Sequence, residues 1–367
     1  MIIWPKTGLS LQCYPIVPSH VSQPWDAADD YLIESLPTGN DITTLLINDR
    51  HGVLACHYPK AHSLISQFCV KQALLRNSST NKIDISDTQL LTENQPLPNH
   101  ITDVVIKIPK SVDLLQHWLE LCRQQLPSET RYWLAGMSKH IPTSWLKWLQ
   151  QHSHSYQQYP IARKARLMVI TLGLQPLYKN QWFGYKTADE IQLLALPGVF
   201  SRNSMDIGSQ FLLQHLPALS GQVVDLGCGN GLLALTCKKR YPACEVYATD
   251  DAWQAVESCR YNAKQSQLDI NVLQGNGLSN IAIQPDWVLC NPPFHDGAKQ
   301  LTDIAIMMFE QSAKKLKDDG RLLVIANRHL PYFKALSKRF QTVKTIASNS
   351  KFHVYLANTP KRQRLTD

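Results

Sequence analysis

The stretch Asp225-Leu-Gly-Cys-Gly-Asn-Gly231 decides the fold of this chain. It follows a short apolar run, Gln222–Gly227 (QVVDLG), and precedes a helical pattern at Leu232–Arg240. The three glycines allow the backbone to turn sharply and to approach a ligand closely, although a plain glycine turn is the alternative. The GxGxG spacing after an acid differs from the GxGxxG of dinucleotide enzymes, whose helix N-terminus seats a pyrophosphate. A carboxylate here would repel a pyrophosphate and suits a positively charged ligand, such as the amino and sulfonium groups of S-adenosylmethionine.

The rest of the second half alternates short apolar strands with helices, which predicts a parallel sheet covered on both faces. The predicted strands are Cys244–Thr249, Ile270–Gln274, Asp286–Cys290, Arg321–Ala326 and Lys351–Ala357, and the predicted helices are Ala252–Asn262, Thr302–Leu316 and Tyr332–Phe340.

The first half repeats this order of elements. Pro109 matches Pro292 at an offset of 183, Arg131 matches Arg321 at 190, and Lys164 matches Lys351 at 187. Such near-constant offsets favour a duplicated domain over two domains that share generic strand patterns. The first copy keeps only Gly52 of the glycine triplet and has Ile108-Pro109-Lys110 where the second has Asn291-Pro292-Pro293. It therefore retains the scaffold and has lost the site.

These matches predict four segments. Residues 1–172 form a degenerate copy, 173–197 a connector, 198–360 the catalytic domain, and 361–367 a basic tail. The polar stretch Gln150–Tyr159 is predicted to be a loop, and its two histidines lack the cysteine or carboxylate neighbours that a metal site needs.

Composition excludes several other classes of protein. A chain of 367 residues exceeds the ~250–300 at which one core stops growing. With 44% apolar and 18% charged residues it is an ordinary globular chain, and no apolar run approaches the ~18 residues of a membrane span. Nine cysteines without a C-x-x-C pair predict reduced, mostly buried thiols in a cytoplasmic protein. The net charge of +8 is compatible with a polyanionic partner.

Two further polar residues follow the next strands. Asp250 ends the second strand, where an acid can accept both ribose hydroxyls, and Asp251 could replace it by a shift of one residue. Either acid could instead cap a helix. Asn276 follows the third strand and could bond an adenine edge or simply form a turn.

Asn291-Pro292-Pro293-Phe294 stands at the carboxyl end of a predicted strand, where open α/β sheets bind ligands. The prolines fix the backbone, so that the Asn291 side-chain oxygen and the Pro292 carbonyl can converge as two acceptors. Phe294 offers a flat face to a planar base. An exocyclic amine is a poor nucleophile, and acceptors that hold its hydrogens favour the pyramidal nitrogen needed for attack on a methyl group. A proline-rich turn is the alternative.

The pattern D-x-G-x-G-x-G followed by (N/D)-P-P-(F/Y) resembles the class I S-adenosylmethionine-dependent amino-methyltransferases. The segments Phe200–Ser209 (FSRNSMDIGS), Asn291–His295 (NPPFH) and Ala326–Phe333 (ANRHLPYF) are similar to the bacterial ribosomal RNA guanine-N2 methyltransferases. Trp25–Leu32 (WDAADDYL) and Asn48-Asp49 favour the large-subunit (23S) branch over the small-subunit branch. The resemblance spans nearly the whole chain.

This resemblance implies two tandem Rossmann-like α/β domains with seven-stranded, mostly parallel sheets, of which the N-terminal copy is inactive and helps to bind RNA. It implies methyl transfer from S-adenosylmethionine to the N2 amine of a guanine in 23S rRNA, with S-adenosylhomocysteine as product and no metal. The residues that the family pattern assigns to the cofactor are Asp225, Gly227, Gly229, Asp250 and Asn276. Those assigned to the amine are Asn291, Pro292, Pro293 and Phe294, and those assigned to a segment that closes over the site are Phe200, Arg202 and Asp206.

Several alternatives stay open. Arg202 could simply pair with Asp206 across a helical turn. The chain could act on 16S rRNA, on adenine N6 or on a glutamine amide, or it could be a silent rRNA-binding assembly factor. We expect the partner to be unassembled or single-stranded rRNA, since flipping a paired base costs a few kcal/mol. We expect the protein neither to associate with a membrane nor to need an obligate protein partner.

Overall fold

The computed structural model describes residues 1–15, 23–37, 39, 42–178, 181–293 and 299–362, with residues 299–302 described by their backbone alone. The described residues through Gln181 form one compact unit, and those from Trp182 onward form a second.

The first unit is built around a seven-stranded sheet. Its elements in chain order are β1 (Ile2–Ile3), β2 (Ser10–Leu11), α1 (Ala27–Ser35), β3 (Thr44–Ile47), α2 (Val53–His57), β4 (His62–Leu64), α3 (Phe68–Thr80), β5 (Leu90–Leu91), β6 (Asp103–Lys107), α4 (Val112–Gln125), β7 (Arg131–Met137), α5 (Thr143–His152), β8 (Ser153–Gln158) and β9 (Ala165–Leu172). The sheet order is β5-β4-β3-β6-β7-β9-β8, and β9 runs antiparallel to both neighbours. Strands β1 and β2 form a separate hairpin.

The second unit repeats this architecture. Its elements are β10 (Phe183–Lys186), β11 (Gln192–Ala195), α6 (Ile207–Gln214), β12 (Gln222–Leu226), α7 (Leu232–Arg240), β13 (Glu245–Asp250), α8 (Trp253–Gln265), β14 (Asn271–Gln274), β15 (Trp287–Cys290), α9 (Lys299–Lys315), β16 (Arg321–Asn327), α10 (Tyr332–Ser337), β17 (Phe340–Ser348) and β18 (Phe352–Pro360). The sheet order is β14-β13-β12-β15-β16-β18-β17, with β18 antiparallel to its neighbours. The predicted α/β fold with two seven-stranded, mostly parallel sheets is confirmed.

Each sheet has an apolar core on both of its faces. In the second unit Val223 and Leu289 point into one core, while Val224 and Val288 point into the other. Alternate residues of one strand therefore serve opposite layers, which explains why the central strands are apolar at nearly every position.

Two predictions of secondary structure are wrong. Gln150–Tyr159 is not a loop, because α5 runs to His152 and β8 follows as an edge strand. An edge strand with one face in solvent tolerates polar residues, so its sequence resembles a loop. The helix predicted to end at Phe340 ends at Ser337, and Phe340 begins the edge strand β17.

The segment predicted to be a connector is partly ordered structure of the second unit. Strands β10 and β11 pair as a hairpin, and the second compact unit includes them. The hairpin β1–β2 precedes the first sheet in the same way. Each sheet is thus preceded by its own hairpin.

Gly52 and Gly231 mark equivalent points in the two units. Each is the N-cap of the helix that follows the central strand, with φ of 68° and 90°. Both occupy the left-handed region, which favours glycine. Counting back six residues from each places Leu46 of the first unit at the position of Asp225. A buried apolar residue thus replaces the acid in the first copy.

The strand pairings extend this equivalence across the sheets. Ile47 pairs with Ile106 in the first unit as Leu226 pairs with Cys290 in the second. The next residue on each strand is Lys107 in one unit and Asn291 in the other.

This register also corrects one sequence match. Pro109 corresponds to Pro293, so the match of Pro109 with Pro292 is wrong by one residue.

Candidate functional site

The glycine-rich loop turns at the carboxyl end of β12. Gly227 and Gly229 have φ of 82° and 53°, in the left-handed region. The amides of Gly227 and Cys228 donate to the Thr249 carbonyl at 2.9 and 3.0 Å, which ties the loop to β13. A Cβ added at Gly229 would meet no heavy atom of the described residues within 4 Å. The loop therefore leaves open space at this point.

Asp225 lies beneath this loop with a side chain only 1% exposed. One carboxyl oxygen accepts the Ala234 N–H at 2.9 Å, and the other has no hydrogen-bond partner among the described residues. Burial raises the pKa of this acid to about 7. An unsatisfied buried carboxyl oxygen is costly unless a ligand supplies a donor or a positive charge.

Asp250 holds the loop from the neighbouring strand. Its two carboxyl oxygens accept the Gly229 N–H and the Ala252 N–H, each at 3.0 Å. Burial raises the pKa of this acid as well. The contact with Gly229 favours Asp250 over Asp251 as the acid that faces a ligand in the loop.

Asn276 lies in the turn after β14 and is half-buried. Its backbone N–H donates to Ser279 Oγ at 3.1 Å, and its carbonyl accepts Gln311 Nε2 at 3.3 Å. Gln311 also accepts the Leu278 N–H at 2.9 Å. Helix α9 therefore fixes the backbone of this turn.

Asn291 follows β15 at the same edge of the sheet. Its Nδ2 donates to Asp206 Oδ2 at 3.1 Å and to Ser209 Oγ at 2.7 Å. Its Oδ1 is buried and has no hydrogen-bond partner among the described residues. Pro292 is buried and Pro293 is exposed. Phe294, predicted to stack on the base, lies outside the described residues.

The segment predicted to close over the site contacts Asn291 through Asp206. Asp206 caps α6 by accepting the Ser209 N–H at 2.7 Å, and it also contacts Asn291. Arg202 donates to the Ala195 carbonyl at 3.3 Å, and its guanidinium carbon lies 4.6 Å from the Phe183 ring centre. The Arg202 side chain thus contacts the hairpin. Phe200 is 50% exposed.

Sequence reasoning missed two polar residues that support the site. Ser209 contacts Asn291, and its only signal in the sequence is its place three residues after the helix-capping Asp206. Asn262 on α8 bonds both backbone groups of Leu194 at 2.9 and 2.7 Å and donates to the Asn230 carbonyl at 2.9 Å. It links the hairpin to the glycine loop, and nothing in the sequence predicts that link.

The described residues contain neither a candidate metal cluster nor a candidate membrane span. They contain no group of three or more His, Cys, Asp or Glu side chains arranged to hold a metal ion. None of their helices has both the length and the apolar character of a membrane span.

Both halves of the chain match known domain families. Residues 2–173 match the RLMG N-terminal domain, and residues 190–356 match the methyltransferase small domain. Among solved structures, the T. thermophilus 16S rRNA N2 G1207 methyltransferase (RsmC), in complex with AdoMet and guanosine, superimposes with a TM-score of 0.79. It is 21% identical, and the match covers 98% of this chain and 97% of that one. At 21% identity, this similarity shows that the two chains share a fold.

Curated relatives match over almost their full length. The ribosomal RNA large subunit methyltransferase G of Alcanivorax borkumensis is 33% identical, over 97% of this chain and 96% of that protein. The protein of the same name from Magnetococcus marinus is 34% identical, over 94% and 95%. The chain therefore belongs to the ribosomal RNA large subunit methyltransferase G family.

Proposed function

We propose that this protein transfers a methyl group from S-adenosylmethionine to the exocyclic N2 amine of a guanine in 23S rRNA. The relatives named for the large subunit, at 32–34% identity over most of the chain, support the 23S substrate. The observation that carries the chemistry is the buried, unsatisfied Oδ1 of Asn291 at the carboxyl edge of the second sheet. An acceptor in that state requires a donor from a ligand, and an exocyclic amine is such a donor.

The residues around the glycine loop fit S-adenosylmethionine. The free oxygen of Asp225 is an acceptor for a positively charged group, and the space beside Gly229 admits a ligand close to the backbone. Asp250 contacts the same loop, which supports our assignment of this acid to the ribose hydroxyls. The structural neighbour was solved with AdoMet, which agrees with this assignment. When bound, the cofactor supplies an electrophilic methyl group on its sulfonium.

The chain's own contribution is to hold the amine. Asn291 Oδ1 and the Pro292 carbonyl accept its two hydrogens, which draws the nitrogen towards a pyramidal geometry and frees its lone pair. Because Asn291 is an amide, it does not take up the proton that the amine releases, and that proton leaves to water. Phe294, by its place in the motif, would stack on the base.

We assign the first unit to rRNA binding. Leu46 and Lys107 stand where the second unit has Asp225 and Asn291, so the first unit has neither functional group at these two positions. The net charge of +8 is of the sign that a polyanionic substrate requires. The substrate we propose is unassembled rRNA in the cytoplasm, with no obligate protein partner.

Mass spectrometry of nucleosides tests this function. The full chain is incubated with isotopically labelled S-adenosylmethionine and with 23S or 16S rRNA that lacks the modification. We expect labelled N2-methylguanosine from 23S rRNA alone. Labelled N6-methyladenosine, or label in 16S rRNA only, would overturn the proposal. A chain that binds no S-adenosylhomocysteine would be a silent RNA binder.

A further inference from the structure

We propose that Asp206, assisted by Ser209, is a positioning residue that fixes the orientation of the Asn291 amide. This inference rests on the function proposed above. The contacts are Asn291 Nδ2 to Asp206 Oδ2 at 3.1 Å and to Ser209 Oγ at 2.7 Å. They leave Oδ1 as the atom of the amide that is buried without a hydrogen-bond partner in the described parts of the chain.

The chemistry of the partners decides which way the amide faces. An ionised carboxylate can only accept hydrogen bonds, so the NH2 group of Asn291 must point towards Asp206. A flipped amide would set its oxygen against a carboxylate oxygen. The hydroxyl of Ser209 can donate or accept and therefore follows the choice that Asp206 makes. With NH2 held on this side, the acceptor oxygen is presented on the other.

Asp206 is itself held in place by the helix it caps. Its Oδ2, the atom that contacts Asn291, also accepts the Ser209 N–H at 2.7 Å. Ser209 is the third residue of α6, so one helix end supplies both the carboxylate and the hydroxyl. The first turn of α6 thus holds the residue that follows β15 through two hydrogen bonds, although the partners lie 82–85 residues apart in sequence.

The first unit has an equivalent helix N-terminus, which contacts a lysine instead of an asparagine. Asp26 caps α1, Asp29 is the third residue of that helix, and Lys107 stands at the position of Asn291. Lys107 Nζ lies 2.7 Å from Asp26 Oδ1 and 2.8 Å from Asp29 Oδ1. In both units, therefore, the capped helix end requires a donor from the neighbouring strand.

The comparison explains why an amide is suited to this position. A lysine satisfies the helix end but has no acceptor to offer to an amine. An asparagine donates on one side and accepts on the other. The second unit thus combines a structural contact and a substrate contact in one side chain.

The test measures kcat and S-adenosylhomocysteine affinity for the unmodified full chain and, first, for three variants. Asp206→Ala removes the acceptor and should lower kcat roughly 10- to 100-fold, because the amide loses its fixed orientation. Cofactor affinity should stay within about twofold. Asp206→Asn keeps an acceptor oxygen that the Ser209 N–H can still hold on this side, and its kcat should exceed that of Asp206→Ala by roughly fivefold or more. Ser111→Ala removes the cap of α4 in the first unit and controls for cap loss alone.

A second arm reverses the donor and the acceptor. Asn291→Asp sets two carboxylates against each other and should lower kcat by at least roughly 100-fold. Adding Asp206→Asn removes one of the two charges, and the new amide can turn its NH2 group to the carboxylate by giving up the helix cap. The other oxygen of that carboxylate again faces the amine. The double variant should exceed Asn291→Asp by at least roughly tenfold. A residue with a purely structural role would give no such rescue.

Two results would overturn the positioning role: an unchanged kcat in Asp206→Ala, or a double variant no better than Asn291→Asp. Labelling the asparagine side chains with 15N gives a readout that does not depend on the substrate. The Asn291 Nδ2H2 signals, identified by their loss in Asn291→Asp, should shift in Asp206→Ala. Unshifted signals would contradict the positioning role of Asp206. If the signals shift but the unmodified chain methylates no rRNA, the positioning role stands and the proposed function is wrong.

Discussion

At the scale of a single residue, the role proposed for Asp225 makes cofactor binding depend on pH. Burial raises its pKa to about 7, and one of its oxygens has no hydrogen-bond partner among the described residues. The ionised form attracts a ligand ammonium group, whereas the protonated form, which predominates below the pKa, does not. We therefore expect S-adenosylhomocysteine affinity, measured by calorimetry, to rise by up to roughly tenfold from pH 6 to pH 7.5. Asp225→Asn should bind more weakly with a flat profile, and an equal slope in this variant would contradict the assignment.

A substitution at Asn291 should lower the rate of methyl transfer without weakening cofactor binding. Asn291→Ala removes the acceptor that holds the amine and should lower kcat by roughly 100-fold or more, the effect of losing one polar group aimed at the reacting centre. Affinity for S-adenosylhomocysteine should stay near normal, because the residues proposed to bind the cofactor lie on other strands or in the loops that follow them. Asn358→Ala, which removes a half-buried amide whose exposed hydrogen bond goes to Thr342 at the opposite end of the sheet, is the matched control. Equal losses of transfer and of cofactor binding would refute the assigned role.

At the scale of elements, Lys107 joins α1 to β6 through an ion cluster in which Asp29 is buried and Asp26 is 46% exposed. Its side chain is 13% exposed, and its ammonium group contacts Asp26 and Asp29. The two acids raise the pKa of Lys107 against the opposing effect of burial, which is the largest single influence. Stability from a raised lysine pKa is fully present at neutral pH and is lost as the pH rises through the folded-state value.

Removing this cation should destabilise the first unit. Lys107→Ala leaves two carboxyl groups facing each other without a counter-charge, at a cost of about 3–5 kcal/mol. Urea unfolding followed by circular dichroism measures the change, and exposed Lys110→Ala is the control. A difference below about 1 kcal/mol between the two variants would show that the cluster contributes no more than a surface pair.

Asn262 and Asn77 provide a matched pair of elements, one in each unit. Asn262 ties its hairpin to the glycine loop, while Asn77 bonds both backbone groups of Gln12 at 3.0 Å and donates to the His51 carbonyl at 2.8 Å. Alanine at either site should cost about 1–3 kcal/mol, because buried backbone groups lose their partners. Only Asn262→Ala should weaken S-adenosylhomocysteine binding as measured by calorimetry. Equal effects of both variants on the ligand would contradict the proposed cofactor site.

The limits of prediction from the sequence also follow from the elements. Central strands such as β12 are buried on both faces, so their apolar runs are visible and their positions are predicted well. The edge strands β8 and β17 carry polar residues on exposed faces and were missed. The glycine loop is a local motif and can be read from spacing. The contact between Asp206 and Asn291 spans 85 residues, and no local pattern reports such a contact.

At the scale of the whole molecule, we expect the first unit to contribute to rRNA binding and the second unit to carry out the methyl transfer. If both contact the phosphate backbone, the full chain releases more counterions than the second unit alone. The logarithm of affinity falls with the logarithm of salt concentration by roughly 0.7 for each phosphate contacted in a single strand. We expect the full chain to bind 23S rRNA more tightly at low salt than residues 182–367 do, and with a steeper salt dependence. Filter binding from 50 to 300 mM KCl measures both quantities, and S-adenosylhomocysteine binding by the truncated chain verifies that it is folded. If the truncated chain retains its ligand and matches the full chain in affinity and slope, the first unit does not bind the RNA, and its retained scaffold requires another explanation.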